Sequence, residues 1–260
     1  MVSLLLAVIY AAFISLGLPD ALLGSAWPIM HAQMNVPLSY AGIVTFTIAM
    51  GTVVSALLSD RLTLKLGAGK VTALSVSLTA LALLGFSISD QYWMLLVFAI
   101  PYGLGAGSID AALNNYVALH YNSRHMSWLH CFWGVGTIIS PYIMSFALTH
   151  SSWNDGYRAV SFIQIGIFAA ILMSFPLWKK NSEDSVDNEK KGAVGIGNAL
   201  KIRGVPAILL GFFAYCAAEA TAMLWASSYF ESVYHSSKEE AATLGSLFFI
   251  GITIGRFISG

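Results

Sequence analysis

Eight apolar stretches dominate this chain, each near or above the ~20 residues a helix needs to cross the hydrocarbon core of a bilayer. They run over residues 4–30, 38–58, 70–89, 92–119, 127–148, 158–178, 205–230 and 241–258. A backbone inside lipid must satisfy its own hydrogen bonds, so the spanning elements are helices or a closed barrel. The ten-residue alternation of barrel strands is absent, which leaves an all-α membrane protein. Charged residues make up 10 % of the 260 and the formal net charge is zero, against about 25 % charge in an ordinary soluble domain. That balance excludes a basic nucleic-acid binder and a disordered chain. Cys131 and Cys216 both fall inside apolar stretches, where cysteine behaves as a small hydrophobe; neither a bridge nor a metal site is expected, and no cofactor is implied.

The basic residues set the orientation. Arg61, Lys65, Lys70, Arg124, Lys179, Lys180, Lys190, Lys191, Lys201, Arg203 and Arg256 fall on one side, and only Arg158 and Lys238 on the other. This positive-inside bias predicts a cytoplasmic N-terminus and cytoplasmic loops near 60–70, 121–126 and 179–204. The loops near 31–37, 90–91, 149–157 and 232–240 are expected outside. The first stretch lacks the basic leader and cleavage site of a signal peptide and is kept as a span.

The segment 179–204 is longer and more polar than the other connections and carries Gly192, Gly195 and Gly197. It reads as a cytoplasmic linker between a six-helix N-terminal half, residues 1–178, and the first two helices of a second half, residues 205–260. On this plan about four further helices would complete the second half, and the chain reads as truncated after its eighth span.

A few polar residues interrupt the spans. Asp20, Asp110 and Glu219 are acids in apolar surroundings, and an acid at the bilayer centre costs ~2.5–3.5 kcal/mol on insertion scales. Such residues face a protein interior or a water-filled cavity. Asp110 and Asn114 stand i, i+4 on one helix face with Asn115 beside it; together they offer acceptors and donors to a polyol. His130 can carry a proton or bind a solute. Trp133, Tyr215 and Trp225 lie within spans and suit either cavity walls that stack on a sugar ring or plain aromatic packing. Gly103 and Gly107 form a small-xxx-small face for close helix packing.

Three motifs carry a family resemblance. Gly51-Thr-Val-Val-Ser55-Ala-Leu-Leu-Ser59-Asp60-Arg61-Leu62-Thr63-Leu64-Lys65-Leu66-Gly67 resembles the loop signature between helices 2 and 3 of the major facilitator superfamily. Gly156-Tyr157-Arg158 is similar to the Gly-Trp-Arg start of that family's helix 6. Gly251 to Gly260, with Arg256 inside it, resembles the signature's repeat in the second half. Within the superfamily, Leu18-Pro19-Asp20 and Asp110-Ala-Ala-Leu-Asn114 are similar to the fucose permease branch. Asp110 stands where that permease has Glu, and His130 where it has Gln.

The resemblance implies the superfamily's two-half fold and a secondary transporter, not an enzyme. It implies a proton-coupled sugar or sugar-like solute, a multi-pass position in the cell membrane, and a monomer that meets lipid, small solute and protons but no nucleic acid. It assigns proton coupling to Asp20, and Asp60, Arg61, Lys65 and Arg256 to a cytoplasmic gate. Substrate contacts fall to Asp110, Asn114, Asn115, His130, Trp133, Glu219 and Trp225. Counting rise per residue puts Asp20 on the outer side of the midplane and Asp110 on the cytoplasmic side, which agrees with separate proton and substrate acids. Other functions of the same composition are a drug/proton antiporter and a non-transporting membrane sensor. The antiporter has some support from Gly134-Val-Gly136-Thr-Ile-Ile-Ser140-Pro141, which resembles the drug exporters' helix 5 motif.

Overall fold

A computed structural model describes residues 4–182 and 196–259, all of it helix and connecting turn. The helices are α1 Leu4–Asp20, α2 Leu22–Gln33, α3 Ala41–Leu66, α4 Ala68–Ser87, α5 Tyr92–His120, α6 Ser123–His150, α7 Trp153–Met173, α8 Phe175–Ser182, α9 Ile196–Ala199, α10 Val205–Tyr234 and α11 Lys238–Ser259; a short 3₁₀ turn, Leu38–Tyr40, leads into α3. They supply 8 spans long and apolar enough to cross a membrane, the first formed by α1 and α2 together. Lys190 and Lys191 of the expected linker lie outside the described residues.

The helices run past the apolar stretches. α3 was expected to leave the membrane near residue 58 and pass into a loop; instead it continues to Leu66, and the turn to α4 is Gly67 alone. Polar side chains do not end a helix, and a backbone leaving lipid keeps its internal hydrogen bonds until a breaker arrives. Gly67 is that breaker. Its φ of +82° suits glycine, and its N–H closes on the Thr63 carbonyl at 2.8 Å. The sixth span likewise starts at Trp153, five residues before the apolar stretch begins, with the Ser152 hydroxyl accepting from the Asp155 N–H.

The first span is broken where a single helix was expected. Pro19 has no N–H to give the Ser15 carbonyl, and the helix is interrupted at Ala21. The released carbonyl is not left bare. Gln164 of α7, fully buried, donates its amide to Ser15 O at 2.7 Å and accepts from the Thr79 hydroxyl of α4 at 2.7 Å. One amide thus ties three helices around the break.

Close crossings set the helix order. α3 packs along α5, α5 also along α4, α1 along α6 and α4 along α7. The expected role of Gly103 and Gly107 is seen at the α3–α5 crossing, where a Cβ on either would run into the Ile48 or the Thr52 carbonyl oxygen. Thr52 and Ser55 hydroxyls close the gap by donating to the Gly103 carbonyl at 3.3 and 3.4 Å. Gly17 and Gly136 do the same for α1 and α6, with the Trp133 and Ile14 carbonyls as the facing atoms. Beyond residue 204, α11 lies on α6, and α10 lies on α11 and α2. Apolar side chains such as Phe46, Leu57, Ile208 and Phe213 point outward, the inverse of a water-soluble bundle.

Candidate functional site

Asp20 ends α1 at the break that Pro19 creates, so its carboxylate turns into the bundle instead of lying along a helix face. Both of its oxygens are claimed. The Tyr102 hydroxyl of α5 donates to Oδ1 at 2.6 Å, and the Trp133 indole N–H of α6 donates to Oδ2 at 2.9 Å. Hydrogen bonds to an ionised group are worth ~1.5–3 kcal/mol each, enough to offset part of the cost of holding a carboxylate inside a membrane bundle.

Trp133 also reaches the other way. The Arg256 guanidinium of α11 stands over its ring, 4.6 Å from the centroid, a favourable place for a cation. Arg256 Nη2 pairs with Glu219 Oε1 of α10 at 3.1 Å and donates to the Tyr215 hydroxyl at 2.7 Å. Arg256 and Glu219 are 23 % and 11 % exposed, so little water competes with the pair. A continuous polar chain therefore runs Glu219–Arg256–Trp133–Asp20–Tyr102 through α10, α11, α6, α1 and α5. Arg256, expected as a gate residue, lies in the last turn of α11, where it links Glu219 to Trp133.

The second acid stands apart. Asn114 donates its amide to Asp110 Oδ1 at 2.9 Å and to the Asp110 carbonyl at 3.0 Å, so the expected shared face exists. Asp110 lies eight residues beyond Tyr102 on α5, ~12 Å along the axis. Asn115 is not brought to this face. It is exposed, roughly 140° round the helix from Asp110, on the stripe that carries Trp93 and Val97. His130 is half-buried one turn before Trp133 and meets Phe13 edge-on, with ring centroids 5.7 Å apart. Trp225 packs against the buried cluster that includes Trp27 and Leu224. Asp60, Arg61 and Lys65 lie exposed on the last turns of α3, and no ion pair joins them among the described residues.

Beside Asp20 lies a cavity of about 140 Å³ between α1, α2, α3, α4, α5, α7 and α10, lined by Asp20, Tyr102, Thr45, Tyr157 and the apolar Leu83, Phe86 and Met223 among others. Tyr102, Thr45 and Gln164 carry no signal in the sequence, because a lone hydroxyl or amide in an apolar run reads as packing until its distant partner is known; Tyr157 falls in the Gly156-Tyr157-Arg158 motif, which says nothing of a cavity.

The chain matches the Major Facilitator Superfamily over residues 8–260. It is 22 % identical to the glucose/mannose transporter GlcP of Bacillus subtilis over 96 % of this chain and 64 % of that protein. It is 23 % identical to the bypass of stop codon protein 6 of Saccharomyces cerevisiae over 95 % of this chain and 54 % of that protein. The fold is similar to a crystal structure of a D-xylose-proton symporter, with a TM-score of 0.71 at 13 % identity, covering 95 % of this chain and 65 % of that one. The chain thus spans between half and two-thirds of the length of these relatives. Eight membrane-length helices in this packing, matched to one family model along nearly their whole length, show that the chain belongs to the Major Facilitator Superfamily, a family of multi-pass membrane transporters and not of enzymes.

Proposed function

We propose that the chain serves proton-coupled, alternating-access transport of a sugar or sugar-like polar solute across the cell membrane. The observation that carries this reading is the Asp20 carboxylate, held by Tyr102 and Trp133 beside an interior cavity and tied through Trp133 to Arg256. A carboxylate so placed exchanges its proton only when water reaches it, and alternating access offers that water from one side at a time. Asp20 is the proton site. Asp110 with Asn114, further along α5, is the solute site, with His130, Trp133, Glu219 and Trp225 as further contacts. Residues 1–178 form one half, 179–204 a cytoplasmic linker, and 205–260 the start of the second half. The N-terminus is cytoplasmic, which puts the α3–α4 turn and the exposed charges of Asp60, Arg61 and Lys65 on the same side, where the membrane potential and the gate act.

Two sugar-related relatives, a glucose/mannose transporter and a D-xylose-proton symporter, support the choice of solute class. Purified chain in liposomes should take up radiolabelled glucose when the outside is made acidic, and a protonophore should abolish the accumulation. Uptake indifferent to the proton gradient would overturn the coupling. A drug/proton antiporter is favoured by one observation, the largely apolar cavity wall of Leu23, Ile48, Leu83, Phe86 and Leu224; proton-driven extrusion of a lipophilic dye with no glucose uptake would decide for it.

A further inference from the structure

The cavity beside Asp20 is not centred on the acid. Tyr157 lies four residues from the start of α7 and Thr45 four from the start of α3, while Phe86 lies one residue before the end of α4. All three belong to the same end of the bundle, opposite to the α3–α4 turn. The cavity therefore runs from Asp20 toward that end. Most of its wall is apolar, but one polar atom in it has no account in the packing. The Tyr157 hydroxyl is buried, the residue being 1 % exposed, and has no hydrogen-bond partner among the described residues. Its ring is fixed edge-on against Phe86 at 5.4 Å and Trp153 at 6.0 Å, so the hydroxyl cannot swing away to find one. A buried phenol normally finds a partner, and leaving one without costs ~1–3 kcal/mol.

We infer that this cavity is a hydrated antechamber through which the proton reaches Asp20, with the Tyr157 hydroxyl as the polar anchor of its water. A cavity of about 140 Å³ has room for several water molecules. They would be bounded by Tyr157 and Thr45 at one end and by Tyr102 and Asp20 at the other. The transfer balances simply. A hydronium ion loses one O–H bond, the Asp20 carboxylate gains one, and neutral water remains. Tyr157 donates and accepts hydrogen bonds without changing its own protonation. The inference rests on Asp20 as the proton-accepting acid, and it adds a residue and a route that the acid alone does not specify.

Hydroxyl-radical footprinting of the full chain in nanodiscs tests the water directly, because a buried ring is oxidised only where water stands beside it. Tyr157 should be labelled several-fold faster than Trp27, which is equally buried but lies outside the cavity. Protection of Tyr157 equal to that of Trp27 would overturn the inference. In the proton-driven uptake assay, Tyr157→Phe keeps the ring packing and removes the anchor. It should slow kcat about tenfold, the equivalent of one lost hydrogen bond, with KM for the solute unchanged. A Tyr157→Phe variant with wild-type kcat would overturn it, and a raised KM would mean a solute subsite instead. If the wild-type chain shows no proton-driven uptake at all, the reading of Asp20 fails, and the footprint alone still decides whether the cavity is wet.

Discussion

Trp133 gives its indole N–H to Asp20 at 2.9 Å and the face of the same ring to Arg256 at 4.6 Å. Proton occupancy at α1 and cation position at α11 therefore meet on one side chain. When Asp20 is ionised, the indole has a strong acceptor and its ring is held under Arg256. When Asp20 is protonated that bond weakens to an ordinary one, and the ring is less firmly oriented. If Asp20 is the proton site proposed above, this gives a physical route by which its protonation biases the packing of α11 against α6.

Trp133→Phe separates the two contacts, since it keeps a ring for Arg256 and removes the donor. It should lower thermal stability by ~1.5–3 kcal/mol, the worth of a hydrogen bond to a charged group. In an Asp20→Asn background the same change should cost measurably less, because the partners are in contact. A thermal-shift double-mutant cycle reads the difference; strict additivity would show that the bond contributes nothing.

Glu219 and Arg256 form a mostly buried pair at 3.1 Å. Glu219→Gln or Arg256→Gln alone leaves one charge inside the bundle, and breaking a fully buried pair from one side costs ~3–5 kcal/mol. With Arg256 23 % exposed, water screens part of this and the effect should fall toward the lower end. The double variant should recover most of the loss, as seen by the melting temperature of purified protein. A double variant less stable than either single would contradict the pairing.

Gln164 replaces the hydrogen bond that Pro19 denies Ser15. Gln164→Leu strands the Ser15 carbonyl, while the Thr79 hydroxyl keeps the Val76 carbonyl as its acceptor, so it should destabilise the fold by ~1–3 kcal/mol, one buried orphan's worth. Adding Pro19→Ala restores a backbone N–H opposite Ser15. It should therefore rescue part of the stability while moving Asp20 and lowering proton-driven uptake further. Rescue of both properties together would argue that the break in the first span has no part in placing Asp20.

The spans were legible because hydropathy over ~20 residues leaves the backbone no other way to satisfy itself in lipid. Gly103 and Gly107 were legible for a related reason, since an i, i+4 pair of missing side chains permits only a close crossing. Asp110 with Asn114 could be read from a local spacing. The polar chain around Asp20 could not. Tyr102 and Trp133 stand 82 and 113 residues from Asp20 in sequence, and no local pattern reports which helices will face each other. Arg256 stands near the helix end that its motif suggested, but its partners on α6 and α10 were hidden for the same reason. Asn115 adjoins Asn114 in sequence yet points elsewhere, as the 100° step of a helix requires. The break at Ala21 was not read from the sequence although Pro19 precedes it, and only the structure reveals that Gln164 from the sixth span makes it stable.

Asp20 as the coupling acid is tested most directly by Asp20→Asn in liposomes, with two readouts on the same preparation: accumulation of labelled solute driven by an imposed proton gradient, and counterflow exchange of solute with no gradient. The amide cannot carry the proton, but its carbonyl oxygen can still accept from the Trp133 indole while its NH2 donates to the Tyr102 hydroxyl, which reverses its role, so the bundle should stay folded and the solute site intact. Accumulation should vanish while counterflow persists. Accumulation at the wild-type level, with proton uptake unchanged, would contradict the assignment.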